Sequence, residues 1–543
     1  MSQEENQERL SEQFREIGNS MANNKGYGWA GASTYKRALR GFKAVSTSPV
    51  EDIDDNNMTL RQRGRLMFMG SPIATSAIKT NRTNTIGLGL KVNPRPDAEA
   101  LGLTTEEAAE WTRTVKREFG IWANRKDACD ATGMNNFYEI QQMLFMSWLT
   151  SGDVFALIEH SERTFLNPYS LRIKSIEADR CATETAGYLA STTGKNQKNG
   201  NTIYDGVEID KTGKPVAYWF RNSHPFESNV IPTKWVRVEA YGKKTGLPNV
   251  IHIVNTERPD QYRGVSYLAP VVESVLQISR YSNAEVMAAV IEAMHTGFVK
   301  TTEDPSEMPF NETGPFGEDE SEDRYDPNDY HLGAGEINVM NPGESIEFPI
   351  ATRPNSNFEG FVKAIASQIG AALEIPRDIL LKEFSTSYSA SRGALLEAWK
   401  SFKMYRTWFV NDFCDPIYEI WLSEAIALGR INAPGFFNDR AKREAWLGTQ
   451  WIGPSQGQLD PTKEISAEIQ ACQNGFSTYA DSALRINGSD FDSNVDTLIK
   501  ESARLKEVEK VNAEIPQDTT TNEEKDRIEV IEVVSKVRDK EDE

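Results

Sequence analysis

A long apolar helix running straight into an acidic, proline-broken stretch constrains this chain more than any other feature. Ser266 to Thr296 reads as one helix, with Pro270 tolerated in its first turn. Its apolar face comprises Leu268, Val272, Val275, Val286, Val290 and Met294. Ser282, Ala284, Ala288 and Ala289 are small enough to let other helices approach closely. Residues 301–330 then carry eleven Asp or Glu, four prolines and a single basic residue, Arg324. Such a segment cannot enter a core and reads as a loop or small exposed subdomain. Strand-like Glu336–Met340 and Ser345–Phe348 close it, and Phe358 to Leu373 reads as a second helix. Two helices therefore bracket an acidic excursion.

The 543 residues hold 60 Lys and Arg against 80 Asp and Glu, a formal charge of −20. At ~100–200 residues per domain, this length implies three or four units able to bury their own cores. A hydrophobic share of 39% with 10% aromatics excludes a disordered chain. No apolar run approaches the ~18–20 residues of a membrane helix, and MSQEENQERLSEQ is unlike a signal peptide, so neither export nor a membrane is expected. Cys129, Cys181, Cys414 and Cys472 form no Cys-x-x-Cys pair, which argues for reduced thiols in a cytoplasm rather than a zinc site or disulfide framework.

A search for catalytic chemistry returns little. There is no phosphate-cradling G-x-x-x-x-G-K-[ST] and no H-E-x-x-H, and the five histidines stand at no metal-binding spacing, so neither metal nor cofactor is expected. Gly453-Pro454-Ser455-Gln456-Gly457 does match the G-x-S-x-G nucleophile elbow. An elbow needs a strand before it, a helix directly after it and a histidine to deprotonate the serine. Here a polar loop runs on to Pro461 and no histidine follows His331, so Ser455 reads as a loop residue. An acid and base pair among the many carboxylates remains open.

The remaining pattern gives an α+β chain. Residues 1–57 form a polar arm, partly disordered, with a short amphipathic helix over Glu4–Ile17. Tyr27, Trp29 and Tyr35 precede the basic cluster Lys36, Arg37, Arg40 and Lys43. That cluster suits either nucleic acid or a neighbouring subunit. Two helices broken at Ser71-Pro72 follow, then a strand opened by Gly87 and Gly89. Residues 101–160 read as helices, Trp111–Trp122 and Ile140–Leu149 among them, ending in the strand Val154–Ile158. Residues 170–256 read as short strands, with Lys195 to Lys198 a solvated turn. The polar stretch Lys382 to Gly393 precedes a tryptophan-rich helix, Ala394 to Leu428, which Pro416 should kink near Phe413. Residues 461–513 read as helical, and the last thirty as disordered.

Four phrases, in this order, resemble the lambda-type portal proteins of tailed bacteriophages: LRQRGRLMFMGSPIATSAIKTNRTNTIGLGLKV, RPDQYRGVSYLAPVVESV, STSYSASRGALLEAWKSFKMYRTWFV and WIGPSQGQLDPTKEISA. The likeness runs from about Leu60 to Lys510. It implies a homo-oligomeric ring, usually a dodecamer, at one capsid vertex, with double-stranded DNA passing through it. Implied partners are the large terminase subunit, the major capsid and scaffolding proteins, and a head-completion adaptor.

By order, the resemblance maps a wing onto 58–264 and stem helices onto 265–296 and 357–375, with a clip at 297–356 between them. A tunnel loop falls at 376–393, a long kinked helix from wing to crown at 394–440, a helical crown at 441–513 and a disordered tail at 514–543. The channel residues would be Lys382, Glu383, Ser385, Thr386, Tyr388, Ser389 and Arg392. The docking residues in the clip would be Glu318, Asp319, Glu320, Glu322 and Asp323. A charge of −20 agrees with this, because DNA slides past an acidic lining with few cations and is trapped by a basic sleeve. The alternative is a Mg-dependent nucleic-acid-processing enzyme of a phage, although a proline-broken acidic loop is a poor octahedral cage.

Overall fold

The fold begins with helices divided where proline requires it. In this computed structural model, residues 36–39, 41–42, 45–184, 192–227, 233–294, 298–301, 344–347, 357–384, 387–457 and 460–514 are described. A π-helical turn, Val50–Asp54, leads into α1 (Asp55–Gly70), so regular structure starts before the expected boundary at 58. Ser71 is extended (φ −111°, ψ 120°) before α2 (Pro72–Thr85), since the residue preceding a proline is driven out of the helical region. Next come β1 (Lys91–Pro94), α3 (Ala98–Leu101), α4 (Thr105–Ala123), α5 (Lys126–Cys129) and α6 (Phe137–Ser151). Capping boxes, Thr104 with Glu107 and Asn136 with Glu139, fix the starts of α4 and α6.

β2 (Asp153–His160) and β3 (Leu171–Glu177) form an antiparallel pair. The chain then builds an antiparallel meander from β4 (Thr193–Lys195), β5 (Thr202–Tyr204), β6 (Val207–Ile209), β7 (Pro215–Arg221) and β8 (Trp235–Glu239). β9 (Val250–Val254) returns to the free edge of β2. β4 and β5 were missed in the sequence, where three residues each, Thr-Gly-Lys and Thr-Ile-Tyr, are too short to show an alternation; Lys195 ends β4, and the turn begins at Asn196.

A 3₁₀ turn at Ala269–Val271 holds Pro270, so α7 (Val272–Met294) starts later than Ser266. β10 (Phe298–Thr301) pairs with β11 (Glu344–Glu347) at the base of the acidic excursion. The stretch Glu336–Met340 and the five acidic docking residues lie outside the described residues, as do Glu4–Ile17 and residues 515–543. α8 (Phe358–Ala372) and α9 (Arg377–Leu381) follow.

α10 (Tyr388–Phe409) begins six residues before the expected Ala394. It passes through a π-helical turn, Val410–Cys414, into α11 (Asp415–Ala427), with Pro416 in the first turn of α11. The irregularity thus falls at Phe413 as the proline predicts: the wider turn absorbs the missing N–H and the ring clash. α12 (Arg440–Leu447) leads into β12 (Thr449–Ile452), which pairs with β1 across most of the chain, Val92 opposite Trp451. α13 (Pro461–Gln473), α14 (Tyr479–Asn487) and α15 (Phe491–Glu514) complete it.

The main core joins the first helices to α11. Phe119 meets the Trp421 ring edge-on at 4.9 Å and Phe137 at 5.5 Å, and Phe137 stacks on Phe413 at 5.8 Å. All of these are essentially inaccessible to solvent. Offset and edge-on aromatic pairs of this kind contribute roughly 0.5–1.5 kcal/mol each beyond area burial.

Candidate channel segment and the buried charge cluster behind it

The phrase RPDQYRGVSYLAP acquires its meaning from two backbones in contact. A Cβ on Gly264 would lie 1.9 Å from the Gly152 carbonyl oxygen, and Gly152 itself has φ +93°. Only two glycines permit this crossing of the α6–β2 turn with the approach to α7. Beside it the Arg263 side chain is wholly buried. Its Nε donates to Asp153 Oδ2 at 2.6 Å and its Nη2 to Asp153 Oδ1 at 3.2 Å and to the Ala178 carbonyl at 2.9 Å. Its Nη1 donates to the Cys181 carbonyl at 2.9 Å. Its guanidinium also lies 5.3 Å from the Phe155 ring centre.

Arg61 from α1 reaches Asp205 at 3.2 Å and Asp153 at 3.6 Å, and Arg263 reaches Asp205 at 2.8 Å. Burial alone would raise the Asp153 pKa, but Arg263 and Arg61 hold it well below the carboxylate range. Burial opposes the Arg263 charge as well, and Asp153 with Asp205 reverses that. His252, stacked on Phe155 at 4.3 Å, is kept below its ordinary value by burial. Asp54 is pushed up to about 7, first by burial and then by Asp205. The cluster ties α1, β2, the meander and the entry to α7 into one unit. Sequence reading missed it, although Asp153 before Val-Phe-Ala-Leu-Ile and Arg263 before an apolar run were visible signals.

The polar stretch from Lys382 is less of a loop than its composition suggests. α9 ahead of it buries Ile379 and Leu380, and Lys382 ends α9 in the left-handed region, φ 56°. Glu383 receives Lys363 Nζ from α8 at 2.9 Å. Lys382, Phe384 and Ser387 are exposed; Ser385 and Thr386 fall outside the described residues. Tyr388, Ser389 and Arg392 are not loop residues, for they lie in the first turns of α10, with Ser387 at its N-cap. Arg392 forms an ion pair with Glu464 of α13. Of the expected channel residues, the structure keeps Lys382 and Glu383 together at one turn and places Arg392 against the C-terminal helices.

The G-x-S-x-G segment follows β12, yet the next helix begins only at Pro461, so an elbow's strand–turn–helix geometry is missing. Glu177, Asp179 and His224 present ligand atoms within 4.8 Å of one another, but Arg65 pairs with both carboxylates. A cation already stands where a metal would need to sit. Among the described residues, no helix is long and apolar enough to cross a membrane.

The family model for phage portal proteins of the lambda family matches residues 35–406. The chain belongs to that family. It is 24% identical over 454 residues to a probable portal protein of Halomonas phage phiHAP-1, covering 82% of this chain and 80% of the relative. It is 22% identical over 471 residues to portal protein B of Escherichia phage lambda, covering 83% and 84%, and 22% identical over 499 residues to the portal protein of Escherichia phage N15, covering 87% and 89%. A chain from the neck of a native gene transfer agent particle, computed with C12 symmetry, superposes with TM-score 0.42 at 14% identity, covering 80% of this chain and 94% of that one. The family match spans the buried cluster, α7, the acidic excursion, α8 and all but the last three residues of α10.

Proposed function

We propose that this portal protein assembles side by side into a closed ring, a dodecamer, at one capsid vertex, and that DNA enters and leaves the head through it. The family match over residues 35–406 carries the reading. The isolated subunit supports it physically. Val286, Met287 and Val290 on α7 and Phe361 on α8 are exposed, an apolar surface that a neighbour would cover. Cyclic closure above two copies needs one face to meet a different one.

In this reading α7 and α8 are the stem, and the acidic excursion is the clip that meets the large terminase subunit and later the head-completion adaptor. The turn at Lys382–Glu383 faces passing DNA, while capsid and scaffolding proteins hold the outer rim. Lys382 offers a salt-screened phosphate contact and Glu383 offsets part of it, so each subunit holds DNA weakly. The protein performs no catalysis of its own. Mass measurement and electron microscopy of the assembled protein test the proposal: a closed ring with an axial channel is expected, and a stable monomer or dimer under all assembly conditions overturns it.

A further inference from the structure

The last three helices are attached to the molecule differently from the rest. Among the described residues, α13 has no buried residue, α14 has only Ser482, and no side chain of α13–α15 belongs to the hydrophobic core. Their attachment runs through charge instead. Asp490, its side chain 11% exposed, accepts from Asn93 Nδ2 at 3.0 Å and Lys116 Nζ at 3.1 Å, with Arg95 at 3.8 Å. The same carboxylate caps α15 by accepting from the Ser493 backbone N–H at 3.3 Å, and it also accepts from Ser493 Oγ at 2.8 Å. Arg113 and Asp496 add an exposed pair at 3.4 Å. At the other end Arg392 of α10 pairs with Glu464 of α13, behind which Arg485 meets Glu468 at 3.3 Å.

The seam between these contacts is open. Arg95, Lys116, Asp490 and Asp496 line a cleft of about 400 Å³, and Leu396 of α10, Glu464 and Arg485 line another of about 270 Å³. A seam filled by core side chains resists opening because dispersion contacts and burial are lost together, whereas one held by a few ion pairs opens at small cost and closes again. Gly488, at φ +69°, gives the α14–α15 corner a conformation that a side chain would strain, and a Cβ there would lie 3.1 Å from the Gly453 carbonyl oxygen.

We infer that α13–α15 is a moving unit held closed by a charge clasp centred on Asp490, and that Arg392–Glu464 transmits its position to the start of α10 and the turn at Lys382–Glu383. The functional consequence, that a change at the C-terminal helices is felt at the DNA-facing turn, rests on the channel reading above. The clasp and its link to α10 do not.

Hydrogen exchange of the full-length assembled protein tests this without DNA. Asp490→Asn is the informative variant, because asparagine caps a helix as well as aspartate does, while the clasp loses the charge and one of its two acceptor oxygens. Amides of 486–496 and 91–95 should exchange about tenfold faster than in the parent while those of α4, α6 and α11 are unchanged. Salt of ~1 M should bring the parent to the same state. Exchange equal to the parent's overturns the clasp, and core peptides rising in step overturn it too, since that is general destabilisation. Glu464→Arg should speed exchange at 379–390, and Glu464→Arg with Arg392→Glu should restore it. A single variant without effect at 379–390, or a double variant that fails to recover, overturns the link to α10.

Discussion

Replacing Asp153 with Asn removes one charge from the buried cluster and little volume, so the response measures electrostatics and not packing. Asp153 is fully buried and faces Arg263 at 2.6 Å, Arg61 at 3.6 Å and the Gly264 amide at 3.1 Å. Removing one partner of a buried pair costs about 3–5 kcal/mol, because the other charge stays desolvated. Asp205 still faces both arginines, at 2.8 and 3.2 Å, which places the expected loss at the lower end, about 3 kcal/mol. For a cooperative unit of ~150–250 residues that is a fall in Tm of roughly 6–12 °C. Thermal unfolding followed by near-UV circular dichroism reads it directly. Asp127→Asn is the control: it breaks an equally short pair with Arg125 at 2.7 Å, but both side chains are about half exposed, so the loss should be within ~1 kcal/mol. If Asp153→Asn also costs under ~1 kcal/mol, the cluster does not hold α1, β2 and the approach to α7 together, and the argument fails.

Acid should weaken the meander through Glu208. Burial opposes its charge, but Arg237 and the amides of Asn199, Asn201 and Asn196 hold its pKa at about 2. A folded-state pKa below the ordinary 4.5 means stability that is present above that value and is lost as pH falls from about 4.5 toward 2. Glu208→Gln should remove that slope in acid titrations followed by circular dichroism. Ser455→Ala should leave assembly unchanged and no esterase activity should depend on Ser455; serine-dependent hydrolysis would reverse that assignment. Lys382→Ser should spare ring assembly and reduce the length of DNA packaged or retained, and normal full-length packaging argues that the turn lies off the channel. Changing Glu318, Asp319, Glu320, Glu322 and Asp323 to Ser should weaken binding of the packaging motor while rings still form; unchanged binding puts the docking surface elsewhere.

Local chemistry was legible in the sequence. Ser71-Pro72 divides α1 from α2, Pro416 marks the irregular turn within the tryptophan-rich helix, and the β-branched alternations near Val216, Val236 and Val250 became β7, β8 and β9. These features act over a few residues, so neighbouring side chains suffice to specify them. The α+β class and the family resemblance were readable for the same reason. The start of α10 was not, because Ser387 and the serines after it suit a loop as well as a helix N-terminus. Only the tertiary structure paired β1 with β12, put Arg263 between Asp153 and Asp205, and set Arg392 against Glu464. Each of those contacts joins residues far apart in the chain. Their geometry depends on how helices and sheets pack around Phe119, Phe137 and Trp421, a collective outcome that no local spacing encodes.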